Sequence, residues 1–350
     1  MLRSKTLIAT PPGETIKEQL NMLGMRQKEF AARMGMSEKH ISRLIGGAVQ
    51  LTLETAQKLE LVLGVPAEFW NKLELIYRDK ILKVQQENAL DADAEIAKKF
   101  PYRDMAESGF IATASNLYDR VINLRKFFGV AELSLLKNRS ITKIACRRLA
   151  ITEKSDLALL AWTQALRLKA REIETAPINI QRLIEVIPEI RKMTTLSPDD
   201  FGPKLREKLA ACGVALVFLP HLKGSFLQGA SFLDGRKIVV GLTARGRDAD
   251  KFWFSLFHEL AHIRLGHVNV IEGTSENEEA EADNWARDNL IEPDSLAEFK
   301  AGGDYSERSI RLFAERQGVA PGIVVGRLQW DRLIGFNNFN SLKEKYVITP

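Results

Sequence analysis

Residues 258–262 read His-Glu-Leu-Ala-His, and farther along the chain reads Glu278-Glu279-Ala280-Glu281-Ala282-Asp283. On a helix, positions i and i+4 share a face with Cβ atoms about 6 Å apart. His258 and His262 therefore turn one ring nitrogen each toward a common metal ion. Glu259 projects about 100° around the axis, near such an ion without having to bind it. A carboxylate there takes a proton from water whose pKa zinc (Zn2+) lowers toward about 7. The chemistry is metal-assisted hydrolysis, with Glu259 as general base.

Catalytic zinc takes a third protein ligand and keeps a fourth position open. Gly266 and His267 are not at the spacing of an HExxHxxGxxH site, so His267 reads as a helix-end residue. Glu279 and Asp283 lie one helical turn apart on one face. Glu279 is the expected third ligand, with Asp283 accepting a hydrogen bond from a ligand histidine and setting its tautomer. Glu281 is the alternative ligand, while Glu276 and Glu278 read as solvated. The oxyanion-stabilising group is not evident; His221, Arg245, backbone donors and the metal itself are the candidates.

Three features of the surrounding chain support this constellation. The run before it, DADKFWFSLF, is helix-compatible and apolar, and bare histidines and a glutamate are costly to bury there without a partner. An acidic helical segment follows. Short β-rich runs precede it, GVALVFLP (213–220) and KIVVGLT (237–243), with SFLQGASFLDG (225–235) as a further strand candidate.

A second constellation lies near the N-terminus. Gln27 to Met34 forms a first helix, Gly35 a turn, and Ser37 the N-cap of a helix over Glu38 to Ile45. That second helix buries Ile41 and Leu44 and turns Glu38, Lys39, Ser42 and Arg43 outward. Such a helix reads base edges in the major groove, while Gln27 and Arg43 are placed to touch phosphates. Residues 1–80 hold 12 basic and 9 acidic side chains, which favours specific over charge-driven binding. A weak echo of the corner recurs at Phe313-Ala314-Glu315-Arg316-Gln317-Gly318-Val319. Two helical corners explain it, and so does the chance likeness of amphipathic helices.

The chain has 350 residues, 45% hydrophobic and 27% charged, which excludes a fibrous or largely disordered protein. It has no run of about 20 apolar residues and no signal-peptide core, and its two cysteines make no disulfide framework. The expected location is cytoplasmic, with no membrane partner. Charge is uneven. Arg120–Glu172 holds 12 Lys/Arg against 4 Asp/Glu, and His258–Glu298 holds 2 against 11. Lys143, Arg147 and Arg148 in the basic block read as a solvated helical face, with a wider DNA footprint or an acidic partner as alternatives. The expected domains are a helix-turn-helix at 13–78, a helical linker at 79–108, a helical middle region at 109–204 and a peptidase-like domain at 205–350.

The N-terminal segments GETIKEQL, TLETAQKLELVLGVPAEFW and LELIY resemble the lambda-repressor-like helix-turn-helix domains, in particular HigA-type antitoxins. Met25-Arg26 stand where many such domains carry Ser or Thr. FWFSLFHELAHIRLGH followed by EEAEADNWARDNLIEP resembles the ImmA/IrrE-type metallopeptidases across about 205–330, with Trp285 in place of the usual Phe. That resemblance implies His258, His262 and Glu279 as zinc ligands and Glu259 as general base. The fold expected is mainly α with a small β-sheet, an N-terminal all-α bundle joined to a C-terminal α+β gluzincin-like domain. The function expected is a DNA-binding regulator carrying a zinc endopeptidase that cuts a repressor or antitoxin-type protein. Its partners would be double-stranded operator DNA, that protein substrate, a second copy of itself and a toxin. Self-cleavage within 79–108 is a further option. The alternative is a HigA-like antitoxin or repressor whose peptidase-like domain only binds zinc or a partner.

Overall fold

The computed structural model describes residues 2–4, 6–137, 154–223, 225, 228–243, 247–269 and 275–346. Their contacts divide the chain into two compact units, Met1–Ile96 and Ala97–Pro350. The finer division at 108 and 204 stays a proposal. Lys143, Arg147, Arg148 and Arg245 lie outside the described residues.

The first unit opens with a small antiparallel pair, β1 (Leu2–Arg3) and β2 (Ile8–Ala9). Four short helices follow: α1 (Pro12–Met22), α2 (Gln27–Met34), α3 (Glu38–Ile45) and α4 (Leu53–Leu63). The long helix α5 (Ala67–Ala97) completes it. Local chemistry sets these boundaries. The Ser37 and Thr52 hydroxyls accept the otherwise orphaned N–H groups of His40 and Thr55, both at 3.2 Å. Gly35 ends α2 at φ 63°, a left-handed conformation that favours glycine. Ile16, Phe30, Ile41, Leu59 and Trp70 fill the core between the helices. Residues 79–97 of the segment read as a linker continue α5, where Ile81 and the buried Val84 pack with Ala9 and Tyr77, and Asp79 pairs with Lys83 at 2.7 Å.

The second unit begins with α6 (Tyr102–Glu107), α7 (Leu117–Phe128) and α8 (Lys154–Arg171). Then come α9 (Ile180–Lys192) and α10 (Pro198–Ala210). The three expected strands are present: β3 (Val214–Leu219), β4 (Gly229–Asp234) and β5 (Lys237–Thr243). They form a sheet in the order β3-β5-β4, with β3 parallel and β4 antiparallel to β5. Every residue of β3 is buried, as expected of a strand covered on both faces. Trp162 and Leu166 of α8 press onto Gly241 of β5 on one side. Leu242, one residue on, faces the opposite side beside Gly229 and Glu259. Arg167 and Arg171 tie α8 to Asp234 at the end of β4, at 3.3 and 3.1 Å.

The two-residue strand β6 (Arg247–Asp248) leads into α11 (Ala249–Leu265), and α12 (Glu276–Leu290) packs along it. Three helices follow, α13 (Pro293–Gly302), α14 (Glu307–Gln317) and α15 (Pro321–Trp330). The final strand β7 (Lys345–Tyr346) returns antiparallel to β6. α11 is buried on nearly every side, by Phe252, Trp253, Leu256, Phe257, Leu260 and Ile263 among others. Its start is held by an aromatic cluster of Phe201, Phe252, Trp253 and Tyr346, with ring centroids 4.8 to 5.6 Å apart. Within it the Trp253 indole N–H donates to the Tyr346 hydroxyl at 3.1 Å.

The sequence echo is a shared backbone corner. Gly318 ends α14 at φ 66°, and the N–H groups of Gly318 and Val319 close onto Glu315 and Ala314 carbonyls as those of Gly35 and Met36 close onto Ala32 and Ala31. The second helices differ. α3 exposes Glu38, Lys39, Ser42 and Arg43, whereas α15 buries Gly322, Ile323, Val324 and Val325.

Replacing Tyr346 with Phe strands a buried indole N–H while keeping the ring. We expect Tyr346→Phe to cost about 1–2 kcal/mol of stability, read as a lower denaturant midpoint at unchanged slope.

Candidate functional site

All five residues assigned to DNA from the sequence are exposed on the first unit. Gln27 opens α2, Glu38 and Lys39 open α3, and Ser42 and Arg43 follow on α3. His40 shares that exposed N-terminal half and was not singled out in the sequence, where it has no spacing signal of its own. Arg26 occupies the N-cap of α2 without a side-chain capping bond, so the Met25-Arg26 departure leaves that helix end uncapped by its own residue.

In the second unit α11 carries its few polar side chains toward α12 and β4. His258 and His262 bring their Nε2 atoms to 3.0 Å. Glu279 reaches both, with Oε2 at 3.3 Å from His258 Nε2 and Oε1 at 3.8 Å from His262 Nε2. The three residues thus offer donor atoms within 4.8 Å of one another. A four-coordinate site with bonds of about 2.0–2.1 Å has ligand–ligand edges near 3.3 Å. The donor triangle has that size, and two imidazole lone pairs facing each other at such range call for a cation or a proton between them. Histidine nitrogen and carboxylate oxygen are apt donors for a divalent ion, so the residues present fit one.

Each candidate ligand histidine has its own support. Asp283, four residues after Glu279 on α12, places Oδ1 2.9 Å from His258 Nδ1. His262 Nδ1 lies 3.0 Å from Nδ1 of His267, whose Nε2 lies 3.8 Å from Glu281. His267 sits in a short 3-10 turn, His267–Asn269, directly after Gly266 closes α11 at φ 82°. The imidazole is buried against the site. Sequence reading took it only for a helix end; the available signal was a histidine right after a helix-stopping glycine. Glu281, the alternative third ligand, has a side chain 64% exposed and meets His267 rather than the two Nε2 atoms. Glu278 is engaged in a capping box with Ser275 at the start of α12.

Burial opposes the charged form of His258, yet its hydrogen bonds to Asp283 and Glu279 outweigh that and raise its pKa to about 10. The negative field that holds a proton there also suits a cation. His262 goes the other way, to about 4, through burial and then the neighbouring His258 charge. Burial raises the pKa of Glu259 to about 7, against a hydrogen bond from Ser231 and the charge of His258. A carboxyl so poised exchanges protons near neutrality. The edge strand β4 determines its surroundings: a Cβ at Gly229 would stand 2.7 Å from Glu259 Oε1. The free edge of β4 pairs with no other strand among the described residues. His221, a candidate oxyanion donor, is exposed after β3.

Comparison with known proteins falls on these same two regions. Residues 16–70 match the helix-turn-helix family model, which spans α2 and α3. Residues 252–314 match the peptidase U49 family model, a stretch that contains His258, Glu259, His262, Glu279 and Asp283. An uncharacterized HTH-type transcriptional regulator of Escherichia coli (strain K12), YddM, is 38% identical over 63 residues, covering 18% of this chain and 67% of that protein.

Two outcomes follow from the geometry. His267→Ala should weaken divalent-metal binding about 10–100-fold in chelator competition, with little change in melting temperature. Gly229→Ala should push the Glu259 carboxylate aside and lower any hydrolytic turnover while metal content, read by elemental analysis, stays unchanged.

Proposed function

Because the chain belongs to the helix-turn-helix transcriptional regulators and joins that domain to a peptidase U49 domain, we propose that it is an operator-binding regulator that is also a zinc metalloendopeptidase. The convergence of His258, His262 and Glu279 beside a buried, near-neutral Glu259 is the observation that carries this reading. His258, His262 and Glu279 would hold zinc. When bound, the ion acts as a Lewis acid that polarises a peptide carbonyl and acidifies water.

This chain's own residues do the rest. Glu259 accepts the proton of the attacking water and returns it to the leaving amine. Burial favours its return to the neutral form, and Ser231 holds it by a hydrogen bond from the strand. Asp283 fixes the His258 ring so that Nε2 faces inward, and His267 does the same for His262. The free edge of β4 accepts an extended polypeptide backbone alongside Glu259. Extended geometry also bears on self-cleavage: residues 79–97 are helical in α5, so a cut there requires local unwinding.

The substrate proposed is a repressor or antitoxin-type protein. Double-stranded operator DNA would be held through Gln27, Glu38, Lys39, Ser42 and Arg43, by a homodimer reading two half-sites. A co-encoded toxin is a further proposed partner, and the cytoplasm the proposed location; among the described residues no helix is long and apolar enough to cross a membrane. The match to YddM, which is described as a transcriptional regulator and is covered over 67% of its length, favours one second reading. In it the chain is a HigA-like repressor whose second unit binds metal without turnover.

Glu259→Gln separates the two. It should lower cleavage of the co-encoded proteins, read by intact mass, by at least about 100-fold while zinc content and operator affinity stay unchanged. A chelator should abolish cleavage by the unmodified protein in the same assay. Promoter control that is indifferent to Glu259→Gln would favour the non-enzymatic repressor.

A further inference from the structure

A cavity of about 710 Å³ lies in the second unit next to the histidine–glutamate cluster, within the size range of small-ligand and side-chain pockets. Its walls come from the start of α11, the end of α12, α15 and the C-terminal strand β7. Two wall residues join it to the cluster. Phe254, one helical turn before His258, has its ring 6.3 Å from the His258 imidazole. Arg287, one turn after Asp283, donates from Nε to the Asp283 carbonyl at 3.1 Å. A third wall residue, Gln228, directly precedes Gly229 at the start of β4, and accepts from Ser255 of α11 at 3.3 Å. A chain laid along the free edge of β4 beside Glu259 therefore runs to this cavity.

The lining has a definite chemistry. Trp330 and Phe336 stand 63% and 71% exposed at it, aromatic faces that no neighbour covers fully. Three of its cations are spent: Lys251 on Asp248 at 3.1 Å, Lys343 on Asp250 at 2.6 Å and Arg327 on Asp331 at 2.9 Å. Lys345 makes no ion pair among the described residues, and Arg287 makes only a long one, from Nη2 to Asp283 Oδ2 at 3.9 Å, while it lies over the Trp330 ring at 5.5 Å with bonds to the Asp283 carbonyl and Asn284. One acceptor is orphaned. Asp250 Oδ1 is buried without a hydrogen-bond partner, an atom that a peptide N–H would satisfy.

We propose that this cavity is the specificity pocket of the site, seating a substrate residue close to the cut bond, and that it selects a bulky apolar side chain with an acidic neighbour. The aromatic faces take the apolar body, and Arg287 and Lys345 take the carboxylate. The proposal rests on the peptidase reading, deepens it to a substrate class, and favours a polypeptide over a free aromatic acid because the cavity continues from β4.

The test uses the full chain carrying Glu259→Gln, loaded with zinc. Three alanine hexapeptides with Phe-Glu, Phe-Gln or Phe-Lys at the centre are titrated by calorimetry. Phe-Glu should bind at least about tenfold more tightly than Phe-Lys, with Phe-Gln between. Lys345→Glu should abolish or invert that order, and Trp330→Ala should weaken all three; both residues are exposed, so the fold is unaffected. Equal affinities, or an order that survives Lys345→Glu, overturn the proposal. So does binding of 3-phenylpropionate where no peptide binds, which would make the cavity a small-molecule site. Selective binding of Phe-Glu with no cleavage of any co-encoded protein by the wild-type chain overturns the peptidase reading alone. Cleavage at sites without an acidic or apolar preference overturns the pocket alone.

Discussion

A helix buried on nearly every side has to give each of its central polar groups a partner, and α11 is such a helix. Its His258, Glu259 and His262 are half-buried to buried, where an unpaired polar group costs several kcal/mol on an apolar-transfer scale. The partner of the two histidines is the acidic face of α12, and that of Glu259 is Ser231 of β4. Glu279 and Asp283 sit one turn apart there, and His258 and His262 sit one turn apart on α11. Two i,i+4 pairs, one basic and one acidic, thus meet across a single helix–helix seam. Much of the second unit keeps that seam in register. The aromatic cluster around Trp253 anchors the start of α11, and the small residues of β4 leave room for Glu259.

The two imidazoles are not equivalent, although the sequence motif treats them alike. His258 leans on a carboxylate, which strengthens it as a base and as a donor. His262 leans on a second imidazole instead, and burial, followed by the charge of His258, lowers its pKa to about 4 despite Glu279 at 3.8 Å. The acidic block of the sequence takes on meaning here. Among its eleven acids Glu279 and Asp283 face the histidines, Glu281 meets His267, and Glu278 closes the cap of α12. Clustered acids on one helix divide between facing the two imidazoles, meeting His267 and capping the helix according to their azimuth.

Azimuth also marks where sequence reading stops. The helix-turn-helix was readable to its end residues because caps and a left-handed glycine are local: Ser37, Gly35 and the runs between them suffice. The three strands were readable from β-rich runs, of which VALVFL and KIVVGLT are almost wholly buried. Spacing from Asp283 ranked Glu279 ahead of Glu281 but could not exclude Glu281, since both depend on how α12 is rotated against α11. Glu278, read as solvated, has a specific task that its spacing encodes, because Ser275-x-x-Glu278 is itself a capping-box pattern. His267 was missed because its approach comes from the turn after Gly266 and not from helical spacing. The full length of α5 was obscured where its apolar stripe fades and polar i,i+4 pairs carry the helix onward.

The paired corners at Gly35 and Gly318 separate two properties that pattern matching merges. The same glycine, the same closing hydrogen bonds and a similar run of Phe and Ala build both turns. One second helix leaves its leading turn to solvent, and the other spends the corresponding turn on packing under its own roof. Backbone shape alone therefore does not make a groove reader: what decides is whether the leading turn stays unclaimed by the rest of the chain. Motif searches that score only the bend would treat these two corners alike, although the one at Gly35 leaves its leading turn to solvent and the one at Gly318 does not.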